Sequence, residues 1–477
     1  MSEKKQKKSL TSFTILFIII AIVAIATQIV ANVAPESGVV GAHLYDFFAA
    51  PVKGFGDALD VCVFVLILGG FLGTVTKTGA LDNGIAVLVK KLHGRELVLI
   101  PILMTLFSLG GSTYGMLEET VPFYLLLAST MVSAGFDSIV GASMVLLGAG
   151  SGCLGSTINP FAVGAAQDAA LGALGEGATL NSGYIIVLGL LLWASTLLIS
   201  IFFVMTYAKK VKADKGSCIL SLQEQEEMKA EFIDKKKEES TEAKLTGRQK
   251  TVLCLFALTF VIMIIGFIPL ESFGITAFNV TAGWITEYPL GTWYFQEASI
   301  WFLLMGIIIG VVGGIDENTL VDTFLAGVGD MVGVVMIIAL ARGVSVLMGV
   351  TGLDAYILAS MENVLRGVPA WLFAPVAYLL YIPLSFLVPS SSGLATVSMP
   401  IMAPLAASLE FAPEVMIMIF VAGNGLVNLF TPTCGAIMGG LAIAKIQYST
   451  WIKFATKIIV TIAVVNIVIL TVAMMVL

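Results

Sequence analysis

Apolar runs of about 18 or more residues recur from one end of the chain to the other, each long enough to cross a hydrocarbon core of about 30 Å. Short polar stretches separate them. This patterning predicts an all-α polytopic membrane protein with about nine transmembrane helices, near 10–33, 58–77, 138–170, 183–207, 251–270, 299–315, 331–350, 414–444 and 452–477. The first run is too long for a signal-peptide core, and no small-residue cleavage site follows it closely, so it is read as a span. Lys4, Lys5, Lys7 and Lys8 precede it, and the polar stretch 208–250 holds most of the remaining lysines. The positive-inside rule puts both in the cytoplasm, which orients the chain with its N-terminus inside and leaves "KKLHGRE" (90–96) inside as well. The 208–250 stretch alternates acidic and basic residues with few apolar ones, so it is expected to be a solvated linker between residues 1–207 and 251–477.

Two apolar stretches, 97–134 and 369–410, fit full pairs of crossings poorly. From Leu97 to Gly110 there are about 14 residues, or roughly 21 Å of helix. Re-entrant helical hairpins fit better, with turns expected at "GGSTYG" (110–115) and "PSSSG" (389–393), both rich in residues that tolerate irregular backbone. Such backbone survives at membrane depth only when packed in protein or lining a wet cavity.

The two halves repeat each other. "GFGDALDV" (54–61) resembles "GVGDMVGV" (327–334), "TKTGALDNGI" (76–85) resembles "VTGLDAYI" (350–357), and "STYGMLEETVPF" (112–123) runs in step with "SSSGLATVSMPI" (390–401). "STINP" (156–160) matches "NLFTP" (428–432), and the offset stays at about 272–278 throughout. By the crossing order 58–77 runs inward and 331–350 outward, so the repeats are expected to be inverted. Inverted repeats with discontinuous helices are the construction of secondary transporters, whose site lies near the bilayer midplane at the repeat interface. The interruptions are "GSGCLGSTINPF" (150–161) and "AGNGLVNLFTPT" (422–433), expected to break helices 138–170 and 414–444. Asn159, Thr157, Asn424, Asn428, Thr431 and Thr433 are the side chains expected at these breaks. Carbonyls and hydroxyls there can coordinate Na⁺, and two candidate sets follow: Ser112, Gly155 and Thr157, and Ser390, Gly393 and Thr431.

Two carboxylates, Glu118 and Glu119, stand in the first hairpin. Acids inside a bilayer are costly and mark ion, proton or cation sites. The alternatives are that the hairpin reaches the surface and both are wet, or that one pairs with Arg342, the only basic residue deep in a predicted span. Arg342 itself is either a ligand for a substrate carboxylate or the structural partner of Glu118 or Glu119. Asp82 and Asp354 lie in a repeated corner near membrane edges and read as helix caps.

Composition narrows the function. The chain is 58% hydrophobic and only 12% charged, which no single soluble core requires. Its net charge of −7 comes without a basic face beside stacking aromatics, so a nucleic-acid partner is not expected. The five cysteines and two histidines show no metal spacing, and no HExxH, GxSxG or Walker loop is present. An enzyme, an ATP-driven pump and a cofactor protein are therefore disfavoured.

"GGSTYGMLEETVPF", "ALARGVSVL" (339–347), "VPSSSGLATVSMPIMAPLA" (388–406) and "GNGLVNLFTPTCGAIMGGLA" (423–442) resemble the YfcC-type carriers, grouped with the C4-dicarboxylate anaerobic carrier family of the ion-transporter superfamily. The resemblance covers nearly the whole chain outside 208–250. It implies scaffold and transport domains, elevator-type movement, a homodimer in the inner membrane, and hairpin-tip residues Ser112, Thr113, Ser391 and Ser392 facing a small-molecule substrate. It leaves the substrate divided between dicarboxylates and basic amino acids. Where relatives that carry dicarboxylates have no acid beside the tip, this chain has Glu118 and Glu119, which would repel such a ligand. The expected function is thus a cationic amino-acid carrier or exchanger of the arginine and ornithine type, coupled to Na⁺ or H⁺ if coupled at all. The alternative is an ion-coupled C4-dicarboxylate carrier.

Overall fold

A computed structural model describes residues 11–81, 83, 84, 87, 95–175, 177–234, 245–267 and 286–477. Lys4, Lys5, Lys7, Lys8, Asp82, residues 90–94 of "KKLHGRE" and residues 235–244 of the polar stretch lie outside that description. The described chain is helical throughout, without a strand. Among the described residues nine helices are long and apolar enough to cross a membrane. The number agrees with the sequence reading, but two members differ: Glu96–Tyr114 and Ala370–Leu387 qualify, whereas the helices within 138–170 and 414–444 are shorter.

In chain order the first helices are α1 (Ser12–Val33), α2 (Leu44–Asp57) and α3 (Leu59–Lys77). The first hairpin is α4 (Leu99–Tyr114) and α5 (Val121–Ser133), followed by α6 (Ser138–Leu154), a break, and α7 (Ala165–Leu174). α8 (Ser182–Ala213) leads to a short α9 (Leu222–Lys229). Beyond it come α10 (Gly247–Phe267), α11 (Phe295–Gly313), the long α12 (Glu317–Thr351) and α13 (Leu353–Leu365). The second hairpin is α14 (Ala370–Leu387) and α15 (Ser391–Ser408). It precedes α16 (Pro413–Val427), a second break, α17 (Gly435–Ile443) and the last helix α18 (Tyr448–Val476). The order of hairpin, then interrupted helix, therefore occurs twice.

Packing divides these helices into two groups. α12 lies along α1, α2 and α3, and α11 along α3 and α10. In the other group α4 and α5 lie on α6, α14 on α16 and α18, and α8 on α4, α6 and α18. The main contact between groups is α12 with α17. The interrupted helices form the core: every residue of α6 except Cys153 is buried, and so is every residue of α16 from Glu414 to Val427. Both contain glycine and alanine, joined by serine in α6, small residues that let neighbouring helices approach closely and so favour packing against protein over facing lipid.

Three expectations are corrected. Gly110 to Tyr114 are helical, so the first turn starts only at Gly115; in the second hairpin the turn is confined to 388–390 and Ser391 already begins α15. The reason for the first is a close approach. A Cβ on Gly111 would lie 2.1 Å from the Ala149 carbonyl oxygen, and one on Gly152 would lie 2.0 Å from that of Ser108. Two facing glycines let α4 rest backbone to backbone on α6, and that contact keeps the glycines helical despite their propensity.

The polar stretch is also more than solvated linker. α8 continues to Ala213, and α9 opens with a capping box between Ser221 and Glu224. Leu220, Met228 and Phe232 are buried. Glu224, fully buried, accepts the Gln447 backbone N–H at 2.8 Å and the Thr450 hydroxyl at 3.1 Å, which fixes this segment to the start of α18. Finally, Gly352, at φ +71°, occupies the N-cap of α13, so Asp354 is a first-turn residue rather than the cap.

Candidate functional site

A cavity of about 140 Å³ opens where the two hairpin turns, the two helix breaks and α12 meet. Each wall has a local cause. α4 ends because Gly115 adopts φ +81°, a conformation glycine reaches without strain, and its N–H donates to the Gly111 carbonyl. The same glycine lets the turn sit against Asn159, since a Cβ there would meet that side chain at 2.8 Å. The chain then passes through a 3₁₀ turn, Glu118–Thr120, before α5. Glu119 is buried and its Oε2 accepts the Leu117 N–H at 3.0 Å. Glu118 is half-buried on the cavity wall. Among the described residues neither glutamate has a cation within ion-pair distance.

Asn159 closes the first break. Its Oδ1 accepts from the Phe161 and Ala162 N–H groups at 2.9 and 3.3 Å, and its Nδ2 donates to Ser156 Oγ at 2.9 Å. Behind it the hairpin is stitched to the break. Ser112 Oγ donates to the Gly155 carbonyl at 3.0 Å and lies 3.2 Å from Thr157 Oγ1, while the Thr157 N–H donates to the Ser112 carbonyl at 2.9 Å. The first candidate Na⁺ set thus comes together as a cluster of oxygens, behind the cavity rather than on its wall.

The second set does not converge in this way. Ser390 Oγ accepts the Gly393 N–H at the start of α15, whereas Thr431 Oγ1 lies 2.6 Å from Thr433 Oγ1. Thr433 also donates to the Phe386 carbonyl at 2.6 Å. Ser390, Ser391, Ser392, Asn428 and Thr433 line the cavity, whereas Asn424 and Thr431 stand behind it. Ser391 Oγ donates to Asn424 Oδ1 at 2.7 Å. Thr113 is turned back onto its own helix, donating to the Leu109 carbonyl at 2.7 Å.

Arg342 reaches the cavity from α12, but its Nε meets Asp57 Oδ2 at 3.2 Å instead of either glutamate. The expected structural pair with Glu118 or Glu119 is thereby corrected. Asp57 ends the amphipathic α2, a helix whose position beside α12 is set by tertiary packing. Sequence reasoning also missed the apolar wall of Val61, Phe161, Phe295 and Ile338, with the Phe161 and Phe295 rings 6.2 Å apart. Phe161 had a local signal, as it directly follows Asn159–Pro160 at the break. The others had none.

A helical bundle of membrane length, with a polar and charged cavity at the junction of two hairpin turns and two helix breaks, is built as a membrane transporter. Comparison with known proteins carries this further. The chain belongs to the C4-dicarboxylate anaerobic carrier family, whose model matches residues 36–475. It is 33% identical to an uncharacterized protein of Haemophilus influenzae over 87% of this chain and 75% of that one. It is 29% identical to the putative basic amino acid antiporter YfcC of Escherichia coli K12 over 85% and 75%. Among solved structures it is similar to MtrF of Neisseria gonorrhoeae, at TM-score 0.43 and 17% identity over 99% of this chain and 96% of that one. It is also similar to the YdaH transporter of Alcanivorax borkumensis, at TM-score 0.47 and 15% identity over 97% and 98%.

Proposed function

We propose that this transporter carries a cationic amino acid of the arginine and ornithine type, as a carrier or exchanger. The observation behind this reading is the pair Glu118 and Glu119 on the cavity wall with no cation at ion-pair distance among the described residues, while Arg342 is engaged by Asp57. Two carboxylates without an ion-pair partner among the described residues, in a low-dielectric cavity, favour a ligand that supplies one. The relative described as a putative basic amino acid antiporter supports the same reading. The chain works as a homodimer in the inner membrane with its N-terminus in the cytoplasm. The α1, α2, α3, α10, α11 and α12 group serves as scaffold, and the hairpins and interrupted helices, re-entrant and related by an inverted repeat, move as an elevator. The Ser112, Gly155 and Thr157 cluster offers oxygens to a coupling Na⁺, and Glu118 offers a site for H⁺.

A second reading, an ion-coupled C4-dicarboxylate carrier, is favoured by the family's description and by Arg342 and Ser390 to Ser392 on the same cavity. Thermal unfolding of the purified protein separates the two, with arginine, ornithine, lysine and succinate each added with and without Na⁺. Ligand at a hundred times its Kd stabilises by about 2.7 kcal/mol. Stabilisation by arginine and ornithine is the expected outcome; stabilisation by succinate alone would overturn the first reading.

A further inference from the structure

Asn428 sits at the second break with only 5% of its surface exposed, yet it lines the cavity. Its Nδ2 uses both hydrogens, donating to the Pro389 carbonyl at 3.1 Å and to Asn424 Oδ1 at 3.2 Å. Its Oδ1 is buried and has no hydrogen-bond partner among the described residues. The amide cannot be turned over to relieve this. The Pro389 carbonyl is an obligate acceptor that also receives Asn424 Nδ2 at 3.3 Å, so it fixes the donor end of both amides toward itself. Exchanging O and N at Asn428 would set its oxygen against two acceptors. An unsatisfied buried carbonyl oxygen is costly and is completed by a donor.

The remaining walls say which donor. Ser390, Ser391 and Ser392 form the N-terminus of the 18-residue helix α15, whose leading N–H groups attract an anion, and Arg342 lies on the same cavity. Glu118 and Glu119 line it too. A fully ionised unsubstituted dicarboxylate such as succinate has no N–H or O–H to offer Asn428, whereas an amino acid has an ammonium group attached to the carbon that bears its carboxylate.

We infer that Asn428 Oδ1 is the acceptor for the α-ammonium group of the substrate, with the α-carboxylate at the start of α15 and the side-chain cation directed to Glu118. This rests on the amino-acid reading above and adds to it the pose and the residue that reads the amino group. Asn428 thereby distinguishes an amino acid from a simple carboxylate.

The test uses full-length protein and four probes: L-arginine, its des-amino analogue 5-guanidinopentanoate, agmatine and succinate, with Kd measured for wild type and Asn428→Ala. Wild type should bind arginine about 10- to 100-fold more tightly than the des-amino analogue, the range of a hydrogen bond to a charged group. In Asn428→Ala that preference should shrink to within about threefold, with agmatine weakened as arginine is. Equal weakening of arginine and the des-amino analogue in the variant would make Asn428 a structural residue only and overturn the inference while the amino-acid reading stands. A wild-type protein that binds the two equally overturns it too, and this holds even if the variant fails to fold. Binding of succinate without arginine or agmatine would instead defeat the amino-acid reading, and the inference with it.

Discussion

Gly111→Ala adds one methyl group at the tightest joint between the first hairpin and the core. The new Cβ would stand 2.1 Å from the Ala149 carbonyl oxygen and 2.9 Å from the Cys153 nitrogen. Both are backbone atoms, so no side-chain rotation relieves the overlap, and α4 must withdraw from α6 by roughly 1 Å or more to restore van der Waals contact. Overpacking of this kind costs about 1–3 kcal/mol. Withdrawal also stretches the Ser112 to Gly155 and Thr157 to Ser112 hydrogen bonds, now 3.0 and 2.9 Å, at about 1 kcal/mol each. Alanine returns about 1 kcal/mol through helix propensity, leaving a net loss of roughly 2–4 kcal/mol. Gly329→Ala in α12 isolates that propensity gain, because a Cβ there meets nothing within 4 Å. The assay is thermal unfolding of both variants in one detergent, alongside uptake into vesicles. Gly111→Ala should melt below wild type and transport poorly, while Gly329→Ala melts at or above it. If Gly111→Ala melts as high as Gly329→Ala, the backbone contact between α4 and α6 does not exist as described.

The two glutamates should separate in their effects. Glu118→Gln is expected to weaken arginine binding by about 2–4 kcal/mol with little change in melting, since among the described residues it has no ion-pair partner to lose. Glu119→Gln should instead lower stability by about 1–3 kcal/mol, because the amide replaces one of the two oxygen acceptors beside the buried Leu117 N–H with a donor; calorimetric titration and melting curves distinguish the two patterns, and reversed roles would refute the assignment. Glu224→Ala strips the acceptor from the Ser221 and Gln447 N–H groups and the Thr450 hydroxyl, and should cost about 2–4 kcal/mol in thermal unfolding without altering the Kd for arginine. An unchanged melting temperature would mean that the segment before α10 is not fixed to α18.

The sequence carried the features that depend on local chemistry. Helix breaks at Asn159 and Asn428 follow from glycine, proline and hydroxyl residues inside apolar runs, whereas the stretches read as too short to span hold Glu96–Tyr114 and Ala370–Leu387, both long enough to cross a membrane. What depends on contact across the fold was illegible. Gly110 to Tyr114 read as a turn because glycine is a poor helix former, and only the opposing Gly152 explains why they stay helical. Arg342 had two visible carboxylates to choose from in its stretch of membrane, but its partner Asp57 belongs to a helix positioned by α12. The folded segment at 215–234 was masked by its charge, although Ser221, Glu224, Met228 and Phe232 already spell a capped helix with a buried side. Apart from Phe161 at the first break, the cavity's apolar wall is scattered over α3, α11 and α12 and has no motif.

Because the cavity draws Val61 and residues within 115–161 from the first half of the chain and Phe295 and residues within 338–435 from the second, neither half lines it alone. This sets an order of events during synthesis. Glu118 and Glu119 enter the bilayer while the helices that will face them do not yet exist, so the early chain holds two acids in an unfinished wall. Contacts between such distant segments form late and slowly. The binding site is thus among the last parts of the molecule to come into being, and a product cut short before Gly435 is inserted but blind to its substrate.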